Sequence, residues 1–399
     1  MEKFFWIDKK RLKTKTYSEL LEDLSNKDYI FNEINFDDPY EFFLDIIFSM
    51  INGLQILISK EKNPIKDKKS IKVKKRTFSS LEDVFMKIEE NKKDFRLSMF
   101  TSGTTGKPKK ISHSFNTLAR NLKKSDRFSD NIWAFAYNPT HFAGIQVFLQ
   151  GFFNKNSFIY IFDSNKESIP SILLENKVNS ISATPTFFRF ILPFFKKENR
   201  YLKNITLGGE RSEEQLINKI HNIFPDAKIR NIYASTEAGT LFKAEGEIFE
   251  ISENIKEMIF FTEENELVIS KDLLGEFGYE DKWFFTGDIV EKIDENHFRF
   301  LHRKSDIINI GGYNVSPHNI EKYLRKFDEI LDVRVYGKTN KLIGNLLCAE
   351  IKIRDKRMKD DIEKDIYVKM NRDFEKYEIP RLISFVDEIK KTDTGKKVR

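Results

Sequence analysis

The chain has 399 residues, 40% hydrophobic and 33% charged, which excludes a disordered chain and allows more than one domain. With 68 basic and 62 acidic residues the net charge is +6, too mild an excess at this length to name an anionic partner. One cysteine and six scattered histidines exclude a disulfide framework, a CxxC pair and an HExxH zinc site.

In chain order, the N-terminal MEKFFWIDKKRLKTK lacks the apolar core of a secretory signal. A helix is expected to open over 17–21, and another is expected over 42–57. The hydrophobic window 42–58 is broken by Asp45, Asn52 and Gln55, and a bilayer span needs ~20 apolar residues. A buried or amphipathic helix is therefore expected, with no integral membrane association and a cytoplasmic location. The basic run 60–76 interleaves only Ile and Val among its lysines. With no aromatic stacking platform it reads as a solvated loop and not as a nucleic-acid surface. A helix over 81–89 and a strand over 95–100 follow.

From 132 onward strands and helices alternate: strands at 132–137, 157–162, 180–183, 204–207 and 229–233, and helices at 141–153, 169–176, 187–194 and 213–223. This predicts an α/β fold, a large layered domain with mostly parallel sheet. Between 246 and 301, short stretches such as EMIFFT, ELVIS and HFRFL predict a small antiparallel β subdomain. Beyond 306, a helix (319–326), strands (330–336, 346–353), a helix (360–372) and a strand (382–386) predict a small α+β C-terminal domain. Cys348, among apolar neighbours, reads as a buried structural thiol.

The stretch MFTSGTTGKPKK, 99–110, sets Gly103 and Gly106 two residues apart and follows Lys107 with Pro108. Walker A needs four residues between its glycines and a Ser or Thr after the lysine, so this is no P-loop. The two glycines, the hydroxyls of Thr101, Ser102, Thr104 and Thr105, and Lys107 still suit an anion-binding nest, the alternative being a plain surface turn. IYASTEAG, 232–239, ends a strand with Tyr233, Thr236 and Glu237, at the usual ligand crevice if the sheet is parallel. WFFTGDIV, 283–290, sets Asp288 in a tight turn, as a ribose acceptor or a simple Asx-turn. LHRKSDIINIGGYNVSPHNIE, 301–321, carries Arg303, Asp306, a Gly-Gly pair and Glu321, and the chain closes on KTDTGKKVR.

These five segments, in this order, resemble the ANL superfamily of adenylate-forming enzymes: acyl- and aryl-CoA synthetases, nonribosomal peptide synthetase adenylation domains and luciferases. The resemblance runs from about residue 42 to the last residue. It implies ATP-dependent activation of a carboxylic acid to an acyl-adenylate, with release of pyrophosphate, then transfer to a thiol of coenzyme A or of carrier-protein phosphopantetheine. By resemblance, Thr101, Ser102, Gly103, Thr104, Thr105, Gly106 and Lys107 wrap the β- and γ-phosphates, Thr236 holds the α-phosphate, and Glu237 holds Mg²⁺. Tyr233 stacks on adenine against Gly208, Gly209 and Glu210, while Asp288 and Arg303 fix the ribose. Lys396 is the catalytic lysine, with Lys397 the competing choice. His141, in NPTHFAG, is the aromatic substrate gate, the alternative being a core-facing histidine at a helix start. ATPTFFRF, 183–190, lines the other side of the acyl pocket.

The implied organisation is a large ATP- and acid-binding domain over 1–304 and a small mobile domain over 305–399 that carries the lysine. The hinge position is Ser305, where Asp or Lys is usual. His302 stands where glycine is common, and Ala234 replaces a glycine. The motif loop starts near residue 99, earlier than in most members, which implies a reduced first subdomain. It also motivates a competing reading, an inactive nucleotide-binding homologue acting as a partner or scaffold. No aspartate follows the gate, so an acid without an α-amino group is expected.

Overall fold

A computed structural model describes residues 3–59, 69–101, 109–210, 212–310, 312–340, 344–355 and 358–389. They form two compact units, Met1–Ile259 with Ile269–Phe284, and Phe260–Val268 with Phe285–Arg399.

The first unit is built on a mostly parallel sheet. Its strands are β1 (Phe4–Asp8), β4 (Ile132–Phe135), β5 (Ser157–Tyr160), β6 (Ser180–Ala183), β7 (Asn204–Gly208) and β8 (Lys228–Ser235), in the spatial order β1-β5-β4-β6-β7-β8, all parallel. β9 (Gly239–Ala244) turns back antiparallel on β8. A second sheet carries the antiparallel hairpin of β2 (Arg96–Thr101) and β3 (Lys109–Ser114). Both faces of the parallel sheet are covered, so its strands read as continuous buried runs such as SFIY and SISA. Successive side chains go to opposite faces. Phe135, Phe158 and Tyr160 join an aromatic core with Trp6, Phe43 and Phe148, whereas Ala134, Ile159 and Ile181 join an aliphatic core with Ile205 and Phe188. Phe43 and Phe148 stack at 3.9 Å.

The helix expected over 42–57 is shorter and starts earlier, Pro39–Ile51. Asp38 caps it by accepting from the N–H groups of Tyr40 and Glu41, with Pro39 in the first turn where its missing N–H costs nothing. Gly53 at φ +61° ends it, and Gln55–Ile58 is a strand. The run 60–76 lies partly outside the described residues; Ser70–Lys72 is a strand paired with Tyr29–Phe31.

The second unit contains most of β10 (Trp283–Lys292), all of β11 (His297–Arg303), and a three-stranded sheet of β12 (Ile330–Asn340), β13 (Gly344–Ile353) and β14 (Leu382–Phe385). β12 and β13 are antiparallel, β13 and β14 parallel. Its core takes Leu324 from the helix Pro317–Leu324 and Ile366 and Met370 from the helix Lys359–Asp373, packed with Val333, Val335 and Ile351. Glu321 is almost fully buried, pairs with Arg325 at 3.1 Å and accepts from the Val335 N–H, so this motif glutamate is a structural tie. Cys348 is free and buried, which pushes its thiol pKa up and keeps it unreactive.

Candidate active site

Parallel strands leave their carboxyl ends on one edge, and the loops that follow make the crevice where ligands bind. In the first unit that edge gathers the predicted residues from four neighbouring strands. β4 is followed by the Asn138 turn and helix α1 (Phe142–Phe152), with His141 as its N-cap residue. The His141 N–H donates to the Asn138 carbonyl at 3.1 Å, and its own carbonyl accepts from Ile145. Gly144 makes the close approach possible, because a Cβ there would stand 2.5 Å from the Asn138 carbonyl oxygen. His141 is thus at a helix start and half-buried, a position compatible with both readings of it.

β6 is followed by helix α2 (Pro185–Ile191), whose N-cap Thr184 accepts from the Phe187 N–H. β7 ends at Gly208, and Gly209 turns the chain at φ +83°. The Tyr137 hydroxyl donates to the Gly208 carbonyl at 3.3 Å, and burial raises that phenol's pKa. The Glu210 carboxylate accepts from the Thr186 N–H (3.1 Å) and hydroxyl (2.6 Å). It therefore holds the first turn of α2, a partner that the motif alone does not reveal. The register Gly208↔Ile232 brings residues 208–210 beside Tyr233 on β8. The Tyr233 ring lies 5.5 Å from that of Phe242 across β8 and β9.

Thr236 and Glu237 form the turn between β8 and β9, and its surroundings fix it closely. Ser235 Oγ accepts from the Ala238 N–H, and the Glu237 carbonyl accepts from Gly275 at 2.7 Å. The Arg120 guanidinium donates to the carbonyls of Ala238 and Leu273, at 3.1 and 3.0 Å, and burial lowers its pKa. Asn121 donates to the Thr240 carbonyl, while the Thr240 hydroxyl pairs with Gln146 on α1. The backbone of this turn is anchored, yet the Glu237 carboxylate makes no hydrogen bond or ion pair among the described residues. An unengaged carboxylate next to Thr236, the residue expected to hold the α-phosphate, fits Mg²⁺, which binds through one or two carboxylates plus substrate phosphates. No cluster of three metal-ligating side chains exists among the described residues.

Sequence reasoning missed Arg120 and His113. His113 lies on β3, is fully buried, and has its ring 4.9 Å from Phe142. Its signal was the alternation in KKISHS, where Ile111 and His113 share the buried face. Burial lowers its pKa to about 4, with Arg120 adding to the shift and the Thr236 backbone opposing it.

In the second unit, Asp288 and Arg303 are opposed in register on β10 and β11. Arg303 Nε donates to the buried Asp288 carboxylate at 2.8 Å, with Nη2 at 3.4 Å. The two predicted ribose ligands thus pair with each other. Gly287, at φ +74°, donates its N–H to Glu266 and sets the turn before Asp288. β2 and β3 meet at Thr101↔Lys109 and so flank the predicted phosphate loop. Ser102, Gly103, Thr104, Thr105, Gly106, Lys107, Lys396 and Lys397 lie outside the described residues.

The layered sheet with these loops at its carboxyl edge is the fold of adenylate-forming enzymes. The solved structure of O-succinylbenzoate coenzyme A synthetase (MenE) from Bacillus subtilis, in complex with ATP and magnesium, superposes with TM-score 0.68 at 16% identity, over 99% of this chain and 95% of that one. ATP-bound MatB from Rhodopseudomonas palustris superposes with TM-score 0.73 at 14% identity, over 99% and 94%. The sequence matches the AMP-binding enzyme family over residues 46–256 and the AMP-binding enzyme C-terminal domain over 319–396. The chain belongs to this family, in the ANL superfamily of adenylate-forming enzymes. It is 26% identical over 345 residues to YdaB of Bacillus subtilis, a proposed acyl–CoA ligase, over 76% of this chain and 66% of that one. Against 2-succinylbenzoate–CoA ligase of Listeria monocytogenes the identity is 25% over 325 residues, 75% of this chain and 67% of the relative. The chain thus spans about two thirds of the length of these curated relatives.

Proposed function

We propose that the chain is an AMP-forming acid–thiol ligase that activates a carboxylic acid with ATP and passes the acyl group to coenzyme A. The observation that carries this reading is the Thr236–Glu237 turn, anchored through its backbone on both sides, with the Glu237 carboxylate unengaged among the described residues. In the first half-reaction a substrate carboxylate oxygen attacks the α-phosphorus, the bond to the bridging oxygen breaks, and pyrophosphate leaves. Thr236 donates its hydroxyl to the α-phosphate, and Glu237 holds the Mg²⁺, whose charge offsets that of the phosphates. The loop 101–107 takes up the leaving pyrophosphate. Lys396 spans carboxylate and α-phosphate as a point charge, which suits the dispersed negative charge of the transition state. Tyr233 and residues 208–210 hold adenine, and the paired Asp288 and Arg303 hold the ribose. In the second half-reaction a thiolate sulfur attacks the acyl carbon and AMP leaves.

His141 is the gate to the acid pocket, between α1 and residues 183–190. The acid carries no α-amino group, and 2-succinylbenzoate, named for the curated relatives, leads the candidates. ATP and coenzyme A are cytoplasmic, and the reaction is expected there; no helix among the described residues is long and apolar enough to cross a membrane.

ATP–pyrophosphate exchange over a panel of succinylbenzoate, aryl, short, long and amino acids, without thiol, tests the first half. Exchange with one class supports the reading and identifies the acid. Silence across the panel despite MgATP binding counts against it. Coenzyme A and a phosphopantetheinylated carrier protein, offered in turn to the adenylate, decide the acceptor.

A further inference from the structure

Glu266 puts a carboxylate where the sequence otherwise writes an apolar strand. It opens ELVIS, Glu266–Ser270, and is buried along with every other residue of that strand. A carboxylate taken out of water is costly unless charge or hydrogen bonds compensate it. Thr262 fixes its backbone: the Glu266 N–H donates to the Thr262 hydroxyl, and the Glu266 carbonyl accepts from the Thr262 N–H, both at 3.0 Å. On the side chain, Oε1 accepts from the Gly287 N–H at 2.9 Å, and Oε2 lies 3.5 Å from the Lys304 ammonium.

Gly287 is the residue before Asp288, and Lys304 is the residue after Arg303. Asp288 and Arg303 face each other in register on β10 and β11, so Glu266 reaches the chain on both sides of the pair. The two contacts are unequal. Lys304 is more than half exposed and also meets Glu264 at 3.0 Å, so water screens its share. The bond from Gly287 is charge-assisted and ends on a buried carboxylate whose backbone is itself fixed, which makes it the stronger of the two. Gly287 stands at φ +74°, a left-handed turn position from which the chain enters Asp288. The residues alongside reinforce it: the Thr286 hydroxyl donates to the Leu267 carbonyl at 2.8 Å and accepts from the Asp288 N–H at 3.1 Å. Residues 266 and 267 thus grip 286 and 287 at two consecutive points and set where the Asp288 carboxylate stands.

We propose that Glu266 is a positioning residue for the ribose: its carboxylate, through the Gly287 N–H, sets the Asp288–Arg303 pair in the place that receives the ribose hydroxyls. The inference rests on the reading of that pair as the ribose site given above. Glu266 touches neither nucleotide nor acid in this role and acts only through the turn. A displacement of about 1 Å in groups of this kind can cost about 10²-fold.

The test is the affinity of the full chain, by titration calorimetry without acid, for MgATP and for the magnesium complex of 2′,3′-dideoxy-ATP, which lacks both ribose hydroxyls. Wild type is compared with Glu266→Met, which keeps the length and removes the acceptor, and with Glu266→Gln, which keeps an acceptor. We expect the wild type to prefer MgATP over the dideoxy nucleotide by about tenfold or more. Glu266→Met should weaken MgATP about tenfold and the dideoxy nucleotide by less than about threefold, while Glu266→Gln stays within about threefold of wild type for both. If Glu266→Met does not fold, Glu266→Asp, which keeps the charge and withdraws it by one methylene, takes its place with the same expectation. Unchanged MgATP affinity in the folded variant overturns the proposal. So does equal weakening for both nucleotides, the mark of a carboxylate that only supports the fold. A wild type that binds both nucleotides alike overturns the ribose site itself, and one that binds neither overturns the proposed function; both results are read on the wild type and so are distinct from failure of the Glu266 role.

Discussion

The His113 imidazole is held neutral inside the fold, its pKa lowered from 6.5 to about 4 by burial. A histidine with a depressed folded-state pKa contributes stability that is fully present above 6.5 and is lost as pH falls towards 4. The full loss for a shift of this size is about 3 kcal/mol. Thermal melts at pH 7 and pH 4.5 should show the wild type losing more stability than His113→Phe over that interval; parallel losses would remove His113 as the cause. Glu237→Gln keeps the side chain's shape and removes the charge. It should raise the Mg²⁺ concentration giving half-maximal exchange at least about tenfold, and an unchanged magnesium titration would end its assignment. Lys396→Ala should lower the exchange rate ~10²–10³-fold while MgATP binding stays measurable. Equal exchange in mutant and wild type would move the role elsewhere, Lys397 being the next residue to test.

Among the elements, α1 matters most because His141, the proposed gate, caps its start. A methyl at Gly144 stands 2.5 Å from a backbone oxygen that cannot yield without moving the Asn138 turn. Gly144→Ala should therefore cost about 1–3 kcal/mol in stability and raise the KM for the acid more than that for MgATP. Equal effects on both would separate α1 from acid binding. The parallel strands were legible in the sequence because burial on both faces writes them as unbroken apolar runs between helices of helical period. The hairpin strand Lys109–Ser114 was not: its lysine pair reads as a basic tail, and only Ile111 and His113 alternate into the core. The helix over 42–57 was drawn too long because Gly53 was read as interior, although its positive φ ends the helix. The candidate site residues were named from type and order. Their partners were not, since the contacts of Glu210 with Thr186 and of Asp288 with Arg303 join residues far apart in sequence.

For the whole molecule, the two units have separate hydrophobic cores. They are expected to unfold in two separate calorimetric transitions, and a single transition would mean that they unfold as one.

The Cε1 of the His113 ring lies 2.7 Å from where a Cβ on Gly275 would stand, and this space bears on how the chain can change over generations. Because the His113 ring occupies the place of a side chain there, the two positions share one volume. A lineage that gains a methyl at 275 must first shrink or surrender the imidazole, and one that keeps the imidazole keeps the glycine. Among descendants of this chain the two sites should substitute as a pair, the glycine outlasting the histidine and not the reverse.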